Sequence, residues 1–121
     1  MNHLNSILLE GNVVIQPKLY TAKESGKSLS IFPIASDRYI VGNGKKRKET
    51  LFIRVEAWEE LGEKAVENLN KGTEVRVLGR LKLNSWSTGD GNVEKELVIV
   101  ACHIEYKSDR ETKTLTSECV E

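Results

Sequence analysis

Two cysteines, two histidines and two prolines among 121 residues remove several functions before any motif is read. Cys102 and Cys119 have no second pair and no histidine at ligand spacing beside them, so no structural zinc, and no other metal or cofactor, is expected. His3 lies in a terminus and His103 in an apolar run. No Ser or Cys sits in a nucleophile motif, and no paired carboxylates or phosphate-cradling glycine loop opens a helix, so an enzyme is not expected. Met1-Asn-His-Leu4 has no basic start followed by an apolar run, and no segment approaches the length of a membrane span. A cytoplasmic chain with reduced thiols follows, with Cys102 as a small core residue. A charge excess is also missing: 18 Lys plus Arg meet 18 Asp plus Glu, so the overall balance does not announce a nucleic-acid binder.

What is present is one domain's worth of chain, long enough for a real core. Residues 1–107 read as that domain and 108–121 as a short, polar, disordered tail, because the tail's few apolar residues cannot offset the entropy of ordering it. The charge is unevenly spread. Residues 1–48 carry 8 basic and 3 acidic groups, whereas 49–70 carry 2 and 6, which leaves strand and loop surfaces basic and the acid gathered further along.

Period-2 alternation in Thr50-Leu-Phe-Ile-Arg-Val-Glu-Ala-Trp58 puts Leu51, Ile53, Val55 and Ala57 on one face and Phe52, Arg54, Glu56 and Trp58 on the other. The first face is an ordinary core. The second exposes large apolar area that folding alone would hide. Thr73 to Trp86 repeats the arrangement, with Val75, Val77, Leu81 and Leu83 against Arg76, Arg80, Lys82 and Trp86. Aromatics and guanidinium groups on the non-core faces of two strands make a basic groove with stacking surfaces, suited to a single-stranded nucleic acid. The alternative is that Trp58 and Trp86 close the two ends of a barrel core.

Between these runs, Glu59 to Gly72 reads as a helix with Leu61, Ala65, Val66 and Leu69 as its apolar stripe, weakened by Gly62 and stopped by Gly72. Ser6 to Ile15 and Leu29 to Ala35 are two earlier strands; Pro33 requires an edge position or a bulge in the second. Val41-Gly-Asn-Gly-Lys-Lys-Arg-Lys48 reads as a hairpin-type loop, mobile through its two glycines, whose Lys45, Lys46, Arg47 and Lys48 can fold over a phosphate backbone, or else form a solvated turn. Val93 to Tyr106 is the last strand, its Leu97 to Cys102 core apolar enough to be buried on both faces or to cover a subunit contact. An all-β chain of five strands with one helix between the third and fourth has the order of an OB-fold barrel.

Four pieces carry a resemblance: Asn5-Ser-Ile-Leu-Leu-Glu-Gly-Asn-Val13 with Pro17 after it, Phe32-Pro-Ile-Ala-Ser-Asp-Arg38, Phe52-Ile-Arg-Val-Glu-Ala-Trp58, and Leu69 to Leu81 followed by Trp86. In this order and spacing, across residues 4–106, the chain resembles the bacterial single-stranded DNA-binding proteins. The resemblance implies an OB barrel, a homotetramer, a nucleoid-associated place in the cytoplasm, and stacking aromatics at Phe52, Trp58 and Trp86. Where the family commonly has a tryptophan after the second strand, this chain has Tyr39-Ile40, so that stacking position shifts to Tyr39 or is lost. The family's long linker and acidic Pro-Phe tip have no counterpart in Thr116-Ser-Glu-Cys-Val-Glu121, which fits either a tail-less relative or a truncated chain, and the usual tip-binding partners are not expected of these residues.

The expected function is therefore sequence-independent binding of single-stranded DNA in replication, recombination and repair. Phe52, Trp58, Trp86 and Tyr39 would stack, while Arg54, Arg76, Arg80, Lys82 and Lys45 to Lys48 would meet phosphates. A specialised primosomal, plasmid-borne or phage-related accessory protein and a single-stranded RNA binder are the alternatives, since nothing in the sequence tests for a 2′-hydroxyl.

Overall fold

In the computed structural model, which describes residues 1–108 and 111–116, the alternation along Thr50 to Trp58 holds: Val55 and Ala57 are fully buried while Phe52 and Arg54 face outward. The elements in chain order are β1 (Ile7–Val13), β2 (Lys18–Thr21), β3 (Ser28–Gly42), β4 (Lys45–Trp58), α1 (Glu59–Asn68), β5 (Glu74–Ser87), β6 (Val93–Ser108) and β7 (Glu111–Thr116). Pairing runs β1-β5-β6-β4-β3, and β3 returns to β1 through Asn12↔Ala35 and Val13↔Ile34, which closes a barrel. One contact in it is parallel, between Arg54–Glu56 of β4 and Val98–Val100 of β6. This is the five-stranded OB barrel, with α1 between its third and fourth strands; β2 and β7 are additions to it.

The inward residues Val13, Phe32, Ile34, Val55, Val77, Ile99 and Ile104 make one core with Leu61, Ala65 and Leu69 of the helix segment. Helix α1 ends at Asn68, short of Gly72, because Leu69 is already extended and buried, and its N–H returns to the Ala65 carbonyl. Gly62 is not merely a weak helix residue. A Cβ there would lie 2.3 Å from the Ala57 oxygen and 3.0 Å from the Ser30 nitrogen, so the absent side chain is what lets α1 lie on β3 and β4. Pro33 sits where β3 changes partner, between the β2 pairing that ends at Ile31 and the β1 pairing that begins at Ile34. Its missing N–H therefore costs no ladder bond, although β3 is not an edge strand.

Three expectations are corrected. Val41 to Lys48 is the expected hairpin but not a mobile loop: β3 and β4 pair in register out to Gly42↔Lys45, joined by Asn43 and Gly44 with φ of 52° and 72°, the left-handed pair that a tight hairpin turn demands. The tail is not disordered throughout, since Glu111–Thr116 adds to β6 beyond its contact with β4 and buries Leu115. The unpaired edge of β6 supplies backbone partners that a polar sequence can use. The expectation for 109–110 and 117–121 lies outside the described residues. Cys102 is half-buried and disulfide-bonded rather than a reduced core thiol, and its partner lies outside the described residues. It is also the extra residue of a bulge, because Leu78 pairs with His103 and Gly79 with Ala101.

Close packing under Gly62 yields a measurable expectation. Gly62→Ala should lower unfolding stability by about 1–3 kcal/mol from overpacking, despite the better helix propensity of Ala. Gly89→Ala, with nothing within 4 Å of the new methyl, should stay within about 0.5 kcal/mol of the parent. Urea midpoints decide it, and an unchanged Gly62→Ala variant would show that the helix can lift away.

Candidate nucleic-acid interface

Because the barrel closes through β6, the outward residues of β4 and β5 share one surface. The register places Arg54, Val98 and Lys82 in a row across β4, β6 and β5. Without a break in alternation, Lys46, Lys48, Phe52, Arg54, Glu56 and Trp58 of β4 point the same way, as do Arg80, Lys82, Asn84 and Trp86 of β5. Tyr39 of β3 pairs with Lys48 and belongs to the same surface; the Lys46 Nζ lies 4.7 Å from its ring centroid, a cation–π contact. Phe52 is 65% exposed, Tyr39 59% and Trp86 46%.

Trp58 differs from these three. Its indole is half-buried and its Nε1–H donates to Glu56 Oε1 at 3.3 Å. The Lys82 Nζ stands 5.8 Å from the ring centroid and 3.8 Å from Glu56 Oε1, and Asn84 Nδ2–H donates to Glu56 Oε2 at 2.8 Å. Glu56 is thus buried, at 5% exposure, on the outward side of the sheet. Val98, likewise outward by register, is 1% exposed yet stands apart from the barrel core. Its register neighbours are Arg54 and Lys82, so a buried apolar residue and a buried carboxylate lie among the cations and aromatics of this surface.

Not every predicted cation joins the cluster. Lys45 and Arg47 have the opposite parity to Lys46 and Lys48, and Arg47 lies 3.4 Å from Glu49. Arg76 is held between Glu10 at 3.3 Å and Glu105 at 3.5 Å, in a separate charge group across β1, β5 and β6. Arg54 lies 3.7 Å from Glu96, and Arg80 has no ion-pair partner among the described residues. Two residues were not singled out from sequence. Tyr20 on β2 pairs with Leu29, which pairs with Trp58, so a further half-exposed aromatic lies on the outward surface two strands away. Glu56 is the other. At the tip joining β5 to β6, the Asp90 carboxyl is held below the usual range, first by the Thr88 hydroxyl and then by the Asn92 N–H. No group of three or more His, Cys, Asp or Glu among the described residues is placed to hold a metal ion.

Residues 4–106 match the profile of the Single-strand binding protein family. The chain belongs to that family. A single-stranded DNA-binding protein of Paenarthrobacter aurescens is 41% identical over 99 residues, 78% of this chain and 55% of the relative. One from Paenarthrobacter nicotinovorans is 34% identical over 121 residues, 93% of this chain and 69% of the relative. The chain thus spans about half the length of the first and about two thirds of the second. The Plasmodium falciparum SSB in complex with ssDNA shares the fold, with a TM-score of 0.73 at 19% identity over 98% of each chain. The small single-stranded DNA-binding protein from Streptomyces coelicolor aligns at 0.69 with 25% identity, covering 92% of this chain and 100% of that one. Among the described residues of this family member, no helix is long and apolar enough to cross a membrane.

The unequal burial of the tryptophans separates their substitutions. Trp58→Ala, which removes a half-buried indole and its bond to Glu56, should cost about 2 kcal/mol of unfolding stability, whereas Trp86→Ala should stay within about 0.5 kcal/mol. Equal losses in denaturant titrations would contradict the different packing of the two rings.

Proposed function

We propose that this chain binds single-stranded DNA without sequence preference, as a non-enzymatic member of its family serving DNA replication, recombination and repair. The observation that carries this reading is the register itself, which gathers Tyr39, Phe52, Trp58 and Trp86 with Lys46, Lys48, Arg54, Arg80 and Lys82 on one outward surface. Exposed rings offer faces on which any base can stack, and the cations between them meet a backbone with one charge per nucleotide. Lys45, Arg47 and Arg76 take a lesser part, since the first two face the other way and the third is neutralised by Glu10 and Glu105.

Titration with an oligo(dT) strand, followed through tryptophan fluorescence, tests this directly. Binding should quench the emission and weaken steeply with salt. Lys46→Ser with Lys48→Ser should flatten the salt dependence by up to about 0.7 in log–log slope for each phosphate no longer neutralised, and Lys45→Ser with Arg47→Ser should flatten it less. Trp86→Ala should weaken affinity by about 1–3 kcal/mol. Affinity indifferent to salt and to these substitutions would refute the reading.

A homo-oligomer, a tetramer by family precedent, is part of the same proposal. Leu51, Leu83 and Leu97 have inward parity but are 52–55% exposed, because the β3–β4 and β5–β6 hairpins carry them away from the core. Apolar area of this kind is suited to burial against a second copy. Multi-angle light scattering at micromolar concentration should return a multiple of 13.6 kDa, and a monomer mass would reject the assembly without touching the DNA reading.

A further inference from the structure

A carboxylate in the middle of a surface meant for phosphates works against it, and Glu56 is such a group. It is 5% exposed, pointing outward between Arg54 and Trp58 on β4. Three neighbours hold it: the Trp58 indole N–H at 3.3 Å, the Asn84 amide at 2.8 Å and the Lys82 ammonium at 3.8 Å. Both oxygens are occupied. Glu96, at 3.7 Å from Arg54 on the same surface, keeps a side chain 36% exposed and can swing into water as a phosphate arrives. Glu56 cannot do so without unpacking Trp58 and exposing the hydrogen-bond donors that it satisfies.

Lys82 is the cation most affected. Its side chain is 38% exposed, so a phosphate can reach it, but its charge is already met from below by Glu56. A DNA phosphate gains less from a cation that keeps an immovable anion on its other side, and fewer counterions are released when the two meet. We propose that Glu56 sets the affinity of this surface: its buried carboxylate occupies Lys82 in place of a DNA phosphate, so that removing the charge strengthens binding of single-stranded DNA. This inference rests on the function proposed above. Its consequence is a binder held below the strength that its aromatics and cations would otherwise give, and therefore one that releases a strand more readily.

Glu56→Gln keeps the length and one acceptor oxygen for the Trp58 N–H, and the Asn84 amide can turn to accept from the new one. Glu56→Met is the second variant, filling the same buried space without charge; thermal melting establishes which of the two is folded. Anisotropy of a labelled oligo(dT) strand, measured across a salt series with the full chain, is the readout. One additional neutralised phosphate steepens the log–log salt slope by about 0.7, which relative to 1 M salt amounts to about threefold tighter binding near 0.2 M. The steepening should vanish when Glu56→Gln is made in a Lys82→Gln background. A parent that binds, together with folded Glu56 variants that bind no more tightly and with the same slope, would overturn this inference alone and reduce Glu56 to a support for the Trp58 ring. A parent that fails to bind the strand even at low salt would overturn the function and this inference together.

Discussion

The short parallel contact between Arg54–Glu56 and Val98–Val100 is the constraint on which the rest depends. Antiparallel neighbours can arise from hairpins, but a parallel pair needs a long crossover, supplied here by α1 and β5. Once that contact forms, Val55 and Ile99 face each other inside the barrel and Arg54 and Val98 outside it. The core and the candidate interface are therefore two sides of one pairing. A slip of one residue would put Phe52 and Arg54 into the core and Val55 into water, so burial of the apolar side also holds the aromatic side in place.

Much of this was legible because it lies on strands with one buried face. Alternation alone separated Val55 and Ala57 from Phe52 and Arg54, and Val75 and Val77 from Arg80 and Lys82. Reading failed where the residues had no apolar partner to betray their state. Lys45 to Lys48 form a strand because Tyr39 to Gly42 pair with them; Asn43-Gly44 marks the hairpin, but nothing local shows that its turn is only two residues long. For β7, Leu115 is the lone buried residue, so a polar segment was ordered by the free edge of β6 and not by its own pattern. Gly62 has a second role that local pattern does not carry: propensity describes the isolated helix, whereas the backbone oxygen of Ala57 decides which side chain fits.

Glu56 shows the same limit at the site. Parity placed it correctly on the outward face, where a glutamate ordinarily sits in water. Its burial comes from Lys82 and Asn84, which are 26 and 28 positions further along the chain and reach it only because the barrel closes. The two tryptophans looked alike in sequence for that reason too. Trp58 lies where β4 is flanked by β3 and near the start of α1, and acquires a carboxylate partner; Trp86 lies near the tip of a hairpin, opposite Glu94, and keeps nearly half its surface in water. Trp58 is therefore packed in part like a core residue, whereas Trp86 leaves its ring open to the solvent.

Zero net charge is compatible with a phosphate-facing surface because acid and base are sorted by geometry and not by sum. Part of the acid is on α1, where Glu60 pairs with Lys64 on the helix surface. Glu10 and Glu105 hold Arg76 in a charge group of its own, while on the surface that gathers the aromatics Glu96 lies beside Arg54 and Glu56 beneath Lys82. An exposed pair such as Arg54 with Glu96 is worth little to stability and opens at little cost. The buried one is different, since its carboxylate is fixed by hydrogen bonds as well as by charge. Burial thus separates Lys82, whose carboxylate partner is fixed in the fold, from Arg54, whose partner stays exposed, a distinction that composition and charge counts do not contain.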